Sequence, residues 1–218
     1  MNELRENIFV NGLVIKSTPI GEYDKRVVLL TMEKGKITAF ARGAKRAGSK
    51  FMGTTQPFCT GRFKLYASGN SYQLLDAEIT EYFEELKSDL EQVYLGMYFL
   101  EIMDYFTREN NDEARMLKLL YQSLKVITRP AFDKELVRCV FEIKGLMING
   151  EYPGVPRQRN FLPSTMYTMD YLYNTSIEKL YTFKLSDEVL EEIIYIASYY
   201  KKHYYDKEFN SLEILKSL

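Results

Sequence analysis

The apolar residues of this 218-residue chain change their spacing once, between residues 81 and 88, from a period of two to a helical period. Alternation at two puts one face of a strand toward a core, whereas spacing at three and four builds one stripe of a helix. A single switch therefore predicts an α+β protein in two parts: residues 1–82 form a β domain, and residues 83–218 form an all-α helical domain.

Five β segments are expected, at residues 9–17, 25–32, 36–42, 58–67 and 72–79. Lys34 and Gly35 turn the second into the third, and Ser68, Gly69 and Asn70 join the last two. Five short sequential antiparallel strands must close or cover their edges. A five-stranded OB-type barrel is the favoured solution, with an SH3-like barrel as the alternative.

Beyond the switch, Ser88 and Glu91 have capping-box spacing, and Leu90, Val93, Met97 and Leu100 follow on one stripe of a helix ending near Arg108. Further helices are expected at residues 112–127 and 132–148, the latter with Phe132, Leu136, Val140, Ile143 and Met147 on its buried stripe. Residues 150–170 hold three prolines and little periodicity, and read as an irregular loop. Ser186 caps a helix with Leu190, Ile193, Ala197 and Tyr200 on its buried face, and residues 212–215 make a last short one.

Charge is as divided as the periodicity. The net charge is −1, but residues 1–80 carry twelve Lys and Arg against seven Asp and Glu, a surplus of +5, so the remainder sums to −6. Residues 34–75 contain eight cations and no acid: Lys34, Lys36, Arg42, Lys45, Arg46, Lys50, Arg62 and Lys64. A solubilising surface mixes both signs, so this window points to phosphate.

Strand alternation puts Lys36, Thr38, Phe40 and Arg42 on one face, and Arg62, Lys64 and Tyr66 on another. Cations with rings are what a single nucleic-acid strand needs, since phosphates seek charge and bases stack on aromatic faces. Phe40 and Tyr66 are the first ring candidates for stacking on bases, and Phe51 and Tyr72 are two more. The loop ARGAKRAGSK, with four cations and two glycines, is expected to be disordered without ligand.

Other chemistry is sparsely supplied. His203 is the single histidine, so a Ser or Cys nucleophile lacks its usual base. Cys59 and Cys139 read as free buried thiols, Glu22 and Asp24 as a polar turn rather than a cation site, and no glycine-rich phosphate loop is present. No enzyme activity, cofactor or metal is expected. No apolar run approaches the ~18 residues of a membrane span. The acidic start MNELRENIFV does not read as a signal peptide, so a cytoplasmic protein is expected.

The run from VIKSTPIGEYDKRVV to GRFKLYASGNSYQLLDAEI is similar to the N-terminal region of the bacterial RecO recombination mediators. The matching features are the GEYDK turn, the EKGKI hairpin, the GAKR loop followed by SK, then QPF and the GRFKLY strand. The likeness extends through the helix start at Asp89 to the closing SLEILKSL. It implies an OB-fold followed by a helical domain, and binding and annealing of single-stranded DNA. It also implies RecR and the single-stranded-DNA-binding protein as partners, and RecA loading as the outcome. Many family members carry a four-cysteine zinc module after the third helix, but residues 145–173 here hold neither Cys nor His. Two other readings stay open: an adaptor whose barrel takes an acidic partner segment, and an RNA-binding OB protein.

Overall fold

The computed structural model describes residues 6–68 and 71–218. Five strands, β1 (Asn7–Ile20), β2 (Asp24–Thr31), β3 (Gly35–Ala41), β4 (Thr60–Ser68) and β5 (Ser71–Glu81), close a barrel in the order β1-β2-β3-β5-β4. A four-residue helix, α1 (Phe51–Thr54), joins β3 to β4. All five expected strands are present, as is the OB-type closure. The Lys34–Gly35 turn is observed, while the Ser68–Gly69–Asn70 turn falls on Gly69 and Asn70, outside the described residues.

Closure depends on β1, which is long enough to serve two neighbours. Its first half pairs with β4 (Phe9 opposite Lys64) and its second half with β2 (Ser17 opposite Val27), with the register shifting between Val14 and Lys16. A bulge of this kind bends a strand and sharpens its twist, as a small barrel requires. The interior is filled by Val10, Val14, Val27, Leu29, Phe63, Leu65 and Leu74, with small Ala39 and Ala41 where β3 meets β5. Phe51 of α1 and Cys59 belong to the same core.

Contacts divide the chain into two units: residues 1–84 with 100–117, and residues 85–99 with 118–218. The barrel unit thus includes the second half of α2 (Leu90–Phe106) and the chain that follows it. There the tip of the β2–β3 hairpin is held by backbone bonds. Lys36 N–H donates to the Arg108 carbonyl and Asn110 N–H to that of Lys34. Gly35 sits at φ +65°, and a Cβ there would lie 2.6 Å from the carbonyl oxygens of both Arg108 and Asn111. Gly35→Ala should therefore destabilise the barrel unit by about 2–4 kcal/mol, through left-handed strain plus overpacking against backbone. A lowered urea midpoint checks this.

The helical unit contains α4 (Lys134–Asn149), α5 (Pro163–Asn174), α6 (Asp187–Tyr204) and α7 (Asn210–Leu215), together with the first half of α2 and most of α3 (Ala114–Ile127). Residues 136–146 of α4 are buried all round, far beyond the expected stripe. Phe99 stacks on Phe141 at 4.0 Å, and the Tyr98 hydroxyl donates to Glu142 at 2.6 Å.

Several local expectations are corrected. The cap of α2 is Asp89, whose carboxylate accepts from the Gln92 N–H, while the Ser88 hydroxyl turns back to the Glu85 carbonyl. The buried side of α2 carries Leu95, Tyr98, Phe99, Ile102 and Met103, whereas Leu90 is 66% exposed. Of the expected stripe, Leu100 is buried and Val93 and Met97 are half-buried, so it fails only at Leu90. It shares the buried side with residues it did not name, because a helix with few polar residues offers more than one apolar face. Ser186 does precede α6, but its side chain makes no cap bond. Within the irregular stretch a helix, α5, begins at Pro163. Its two ends are held by charge. Glu192 of α6 accepts from the Leu162 N–H and the Thr165 hydroxyl, while the Lys144 ammonium of α4 donates to the carbonyls of Leu172 and Thr175. An anion at the N-terminus and a cation at the C-terminus complement the helix dipole and the unpaired end groups.

Candidate nucleic-acid interface

The outward residues of the barrel can be followed around its circumference through the strand register. Arg26 of β2 lies opposite Phe40 of β3, Phe40 opposite Gln73 of β5, and Gln73 opposite Tyr66 of β4. Neighbouring strands lie about 4.8 Å apart, so this row sets Phe40 and Tyr66 about 10 Å from each other although 26 positions separate them in sequence. Both rings are half-buried and Arg26 is exposed, without an ion pair among the described residues.

At one end of the row, two turns are fastened together. The Asp24 carboxylate accepts from the Gly43 N–H at 2.7 Å, Lys45 N–H donates to the Tyr23 carbonyl, and the Arg46 guanidinium lies 4.9 Å from the Tyr23 ring. Residues 42–49 thus form consecutive turns tied to residues 21–24, rather than the disordered loop expected. Arg42, Lys45 and Arg46 are exposed there, free of ion pairs among the described residues. Asp24 is spent on the backbone, which bears out the polar-turn reading of GEYDK.

The other expected cations are placed differently. Lys34 and Lys36 lie at the opposite end of β3 from Arg42, about 20 Å away at ~3.3 Å per residue. The Lys36 ammonium bonds the carboxylate and the carbonyl of Asp104, which Lys16 also pairs at 3.1 Å. Burial pushes the Asp104 carboxyl up, but the two ammoniums more than offset this and hold it below the usual carboxylate range. Lys50 pairs with Asp76 at 2.9 Å and likewise holds that carboxyl low. Arg62 and Lys64 face outward as expected, but the register sets Glu78 opposite Arg62 and Asp76 opposite Lys64. The acid-free window of sequence is therefore not acid-free in space.

Of the four ring candidates, Phe51 is buried in the barrel core and Tyr72 packs against that core. Register turns Tyr72 toward the core and α1 puts Phe51 there, leaving Phe40 and Tyr66. Three surface residues went unnoticed in the sequence: Arg26, Tyr23, and Phe9, which is 50% exposed with the Arg62 guanidinium 4.3 Å above its ring. The alternation Ile8–Phe9–Val10 already points Phe9 outward, and only the pairing of β1 with β4 puts it beside Arg62 and Lys64.

In the helical unit two cavities, of about 320 and 360 Å³, meet at Ser198, Lys201, Leu212 and Lys216. Burial pushes the Lys201 ammonium below the usual lysine range, with Glu142 opposing, and Lys201 makes no ion pair among the described residues. Leu95, Ile194 and Leu215 supply apolar wall, and Lys134 and Arg138 line the same rim.

The zinc module of the family finds no counterpart. Cys59 and Cys139 are both buried and 80 positions apart, residues 145–173 have no Cys or His, and no group of three potential ligands comes together among the described residues. The residues present do not fit that metal. No helix among the described residues is long and apolar enough to cross a membrane.

A closed OB-type barrel followed by a helical region defines an OB-fold protein with an all-α C-terminal part. Residues 6–83 match the family model described as "Recombination protein O N terminal", and residues 87–155 and 145–213 match "Recombination protein O C terminal". Curated relatives named "DNA repair protein RecO" include that of Clostridium novyi (strain NT), 29% identical over 95% of this chain and 93% of the relative. That of Clostridium perfringens (strain 13 / Type A) is 28% identical over 94% and 96%. The chain belongs to the RecO family of recombination proteins, and its place is in DNA repair.

Proposed function

We propose that this chain is a recombination mediator that holds single-stranded DNA on its barrel, anneals complementary strands, and helps load RecA onto protein-coated DNA. Residues 1–82 carry the barrel's DNA contacts, and residues 83–218 hold the partner sites. The observation that carries the reading is the outward row Arg26–Phe40–Gln73–Tyr66 running into the exposed cations Arg42, Lys45 and Arg46. Rings take bases and cations take phosphates. Lys34, Lys36, Lys50, Arg62 and Lys64 contribute at the margins, since four of these five have acids paired with or opposite them.

The work runs on binding energy rather than turnover. Burial pushes the Cys139 thiol far up, and His203 is stacked on Tyr199, its Nδ1 within hydrogen-bond distance of the Tyr199 carbonyl oxygen. Neither forms a nucleophile–base pair.

RecR and the single-stranded-DNA-binding protein are the proposed partners, in the cytoplasm at the nucleoid. The joined cavities around Lys201 are the candidate site for the acidic tail of the latter. On the rim, Glu91, Glu135 and Glu213 are taken up by Lys134, Arg138 and Lys216, and Asp206 and Glu208 also line it. Lys201 and Lys202 make no ion pair among the described residues, beside an apolar wall that would receive a hydrophobic side chain.

Four phosphate contacts, by Arg26, Arg42, Lys45 and Arg46, should give single-strand affinity a log–log salt slope of about −2.8. Fluorescence anisotropy across a salt series measures it. A slope near zero sinks the phosphate model, tighter binding of RNA than DNA favours the RNA reading, and capture of an acidic peptide without DNA favours the adaptor.

A further inference from the structure

A second surface of similar chemistry lies in the helical unit. Two stretches without acids, residues 152–169 and 195–203, are brought side by side although the chain beyond residue 80 is net acidic. Gln158 donates to the Tyr199 hydroxyl at 2.8 Å. Arg159 reaches Glu192 at 2.9 Å, and its guanidinium lies 5.1 and 4.8 Å from the ring centroids of Phe161 and Tyr195. One turn further along α6, His203 stacks on Tyr199 at 4.1 Å. These contacts fix the loop against α6.

Arg157 and Lys202 stand exposed on this surface and make no ion pair among the described residues. Phe161, Tyr195 and Tyr199 are half-exposed. Glu192 is already bonded by Leu162 N–H, Thr165 and Arg159, the exposed Glu188 and Glu191 lie toward the start of α6, and Asp206, Glu208 and Glu213 line a cavity with Lys202 without pairing it.

We propose that this patch is a second binding surface for single-stranded DNA, and that it holds the second strand during annealing. The inference rests on the annealing reading above: pairing two strands requires both to be held, and the row on the barrel is one such surface. Arg157 and Lys202 neutralise phosphates, while the ring edges and the Arg159 plane take bases. The acid-free stretches raise the local field at Arg157 and along residues 195–203, while Asp206 opposes it beside Lys202.

Native mass spectrometry with an oligothymidylate of about ten nucleotides, a typical site size for such surfaces, tests this directly. The intact chain should take two oligonucleotides. R157E/K202E should take one and lose about tenfold or more in annealing rate, with an unchanged unfolding midpoint because both side chains are exposed. A barrel variant, R42A/K45A/R46A, should also take one. A single oligonucleotide on the intact chain, two on R157E/K202E, or none on R157E/K202E would each overturn the proposal. If the barrel variant keeps two while R157E/K202E keeps one, the barrel reading fails and the helical patch stands.

Discussion

Arg138→Met is expected to destabilise the helical unit by about 3–5 kcal/mol, because it strands a buried charge. The Arg138 side chain is 7% exposed and that of Glu142 2%, and they meet at 2.6 Å one turn apart on α4. The same Glu142 oxygen also accepts from Tyr98, while its other oxygen has no hydrogen-bond partner within the protein. With arginine gone, the carboxylate keeps only the phenol. Glu135, the second partner of Arg138, is 45% exposed and is left to water at little cost. Urea unfolding followed by tyrosine fluorescence reads the effect, since the chain has 18 tyrosines and no tryptophan. Arg138→Met with Glu142→Leu should recover most of the loss, as buried pairs are often replaceable by apolar side chains of similar volume. A single variant within about 1 kcal/mol of the parent, the range of an exposed pair, would show that the pair does not hold α4 in place.

Removing the rings of the barrel row should be as costly for DNA as removing Arg138 is for the fold. Stacking contributes about 1–3 kcal/mol per base, so Phe40→Ala with Tyr66→Ala should weaken single-strand binding by roughly 30-fold to 10⁴-fold. The salt slope should not change, because no phosphate contact is lost. R42A/K45A/R46A should do the reverse: the slope should become shallower by about 2 at the ~0.7 per contact of a single strand. All five side chains are exposed or half-buried and point outward, so unfolding midpoints should stay within about 0.5 kcal/mol for the loop cations. If the ring variant binds as the parent does, bases are not read on this row. If the slope of the cation variant is unchanged, the phosphates lie elsewhere.

The barrel was legible because period-two alternation is itself the record of which side chains face inward. Ile37, Ala39 and Ala41 face the core and Lys36, Thr38 and Phe40 face outward, as their alternation alone requires. The helix α5 was not legible, because what stabilises it sits elsewhere in the chain: Glu192 at its start and Lys144 at its end. Its own run of Ser, Thr and Tyr has no strong helix preference to announce it.

The candidate interface divides the same way. Alternation along each strand determined that Phe40 shares a face with Lys36 and Arg42, and Tyr66 with Arg62 and Lys64, and composition determined that residues 34–75 lack acids. Only the tertiary structure decided which cations are free. Strand pairing brings Asp76 and Glu78 beside β4, and the end of α2 brings Asp104 to Lys36, leaving Arg26, Arg42, Lys45 and Arg46 unopposed near the ring row and Lys34 at the far hairpin tip. Periodicity is a property of neighbouring residues, whereas the field at a surface sums charges close in space; a sequence prints the first and leaves the second to the fold.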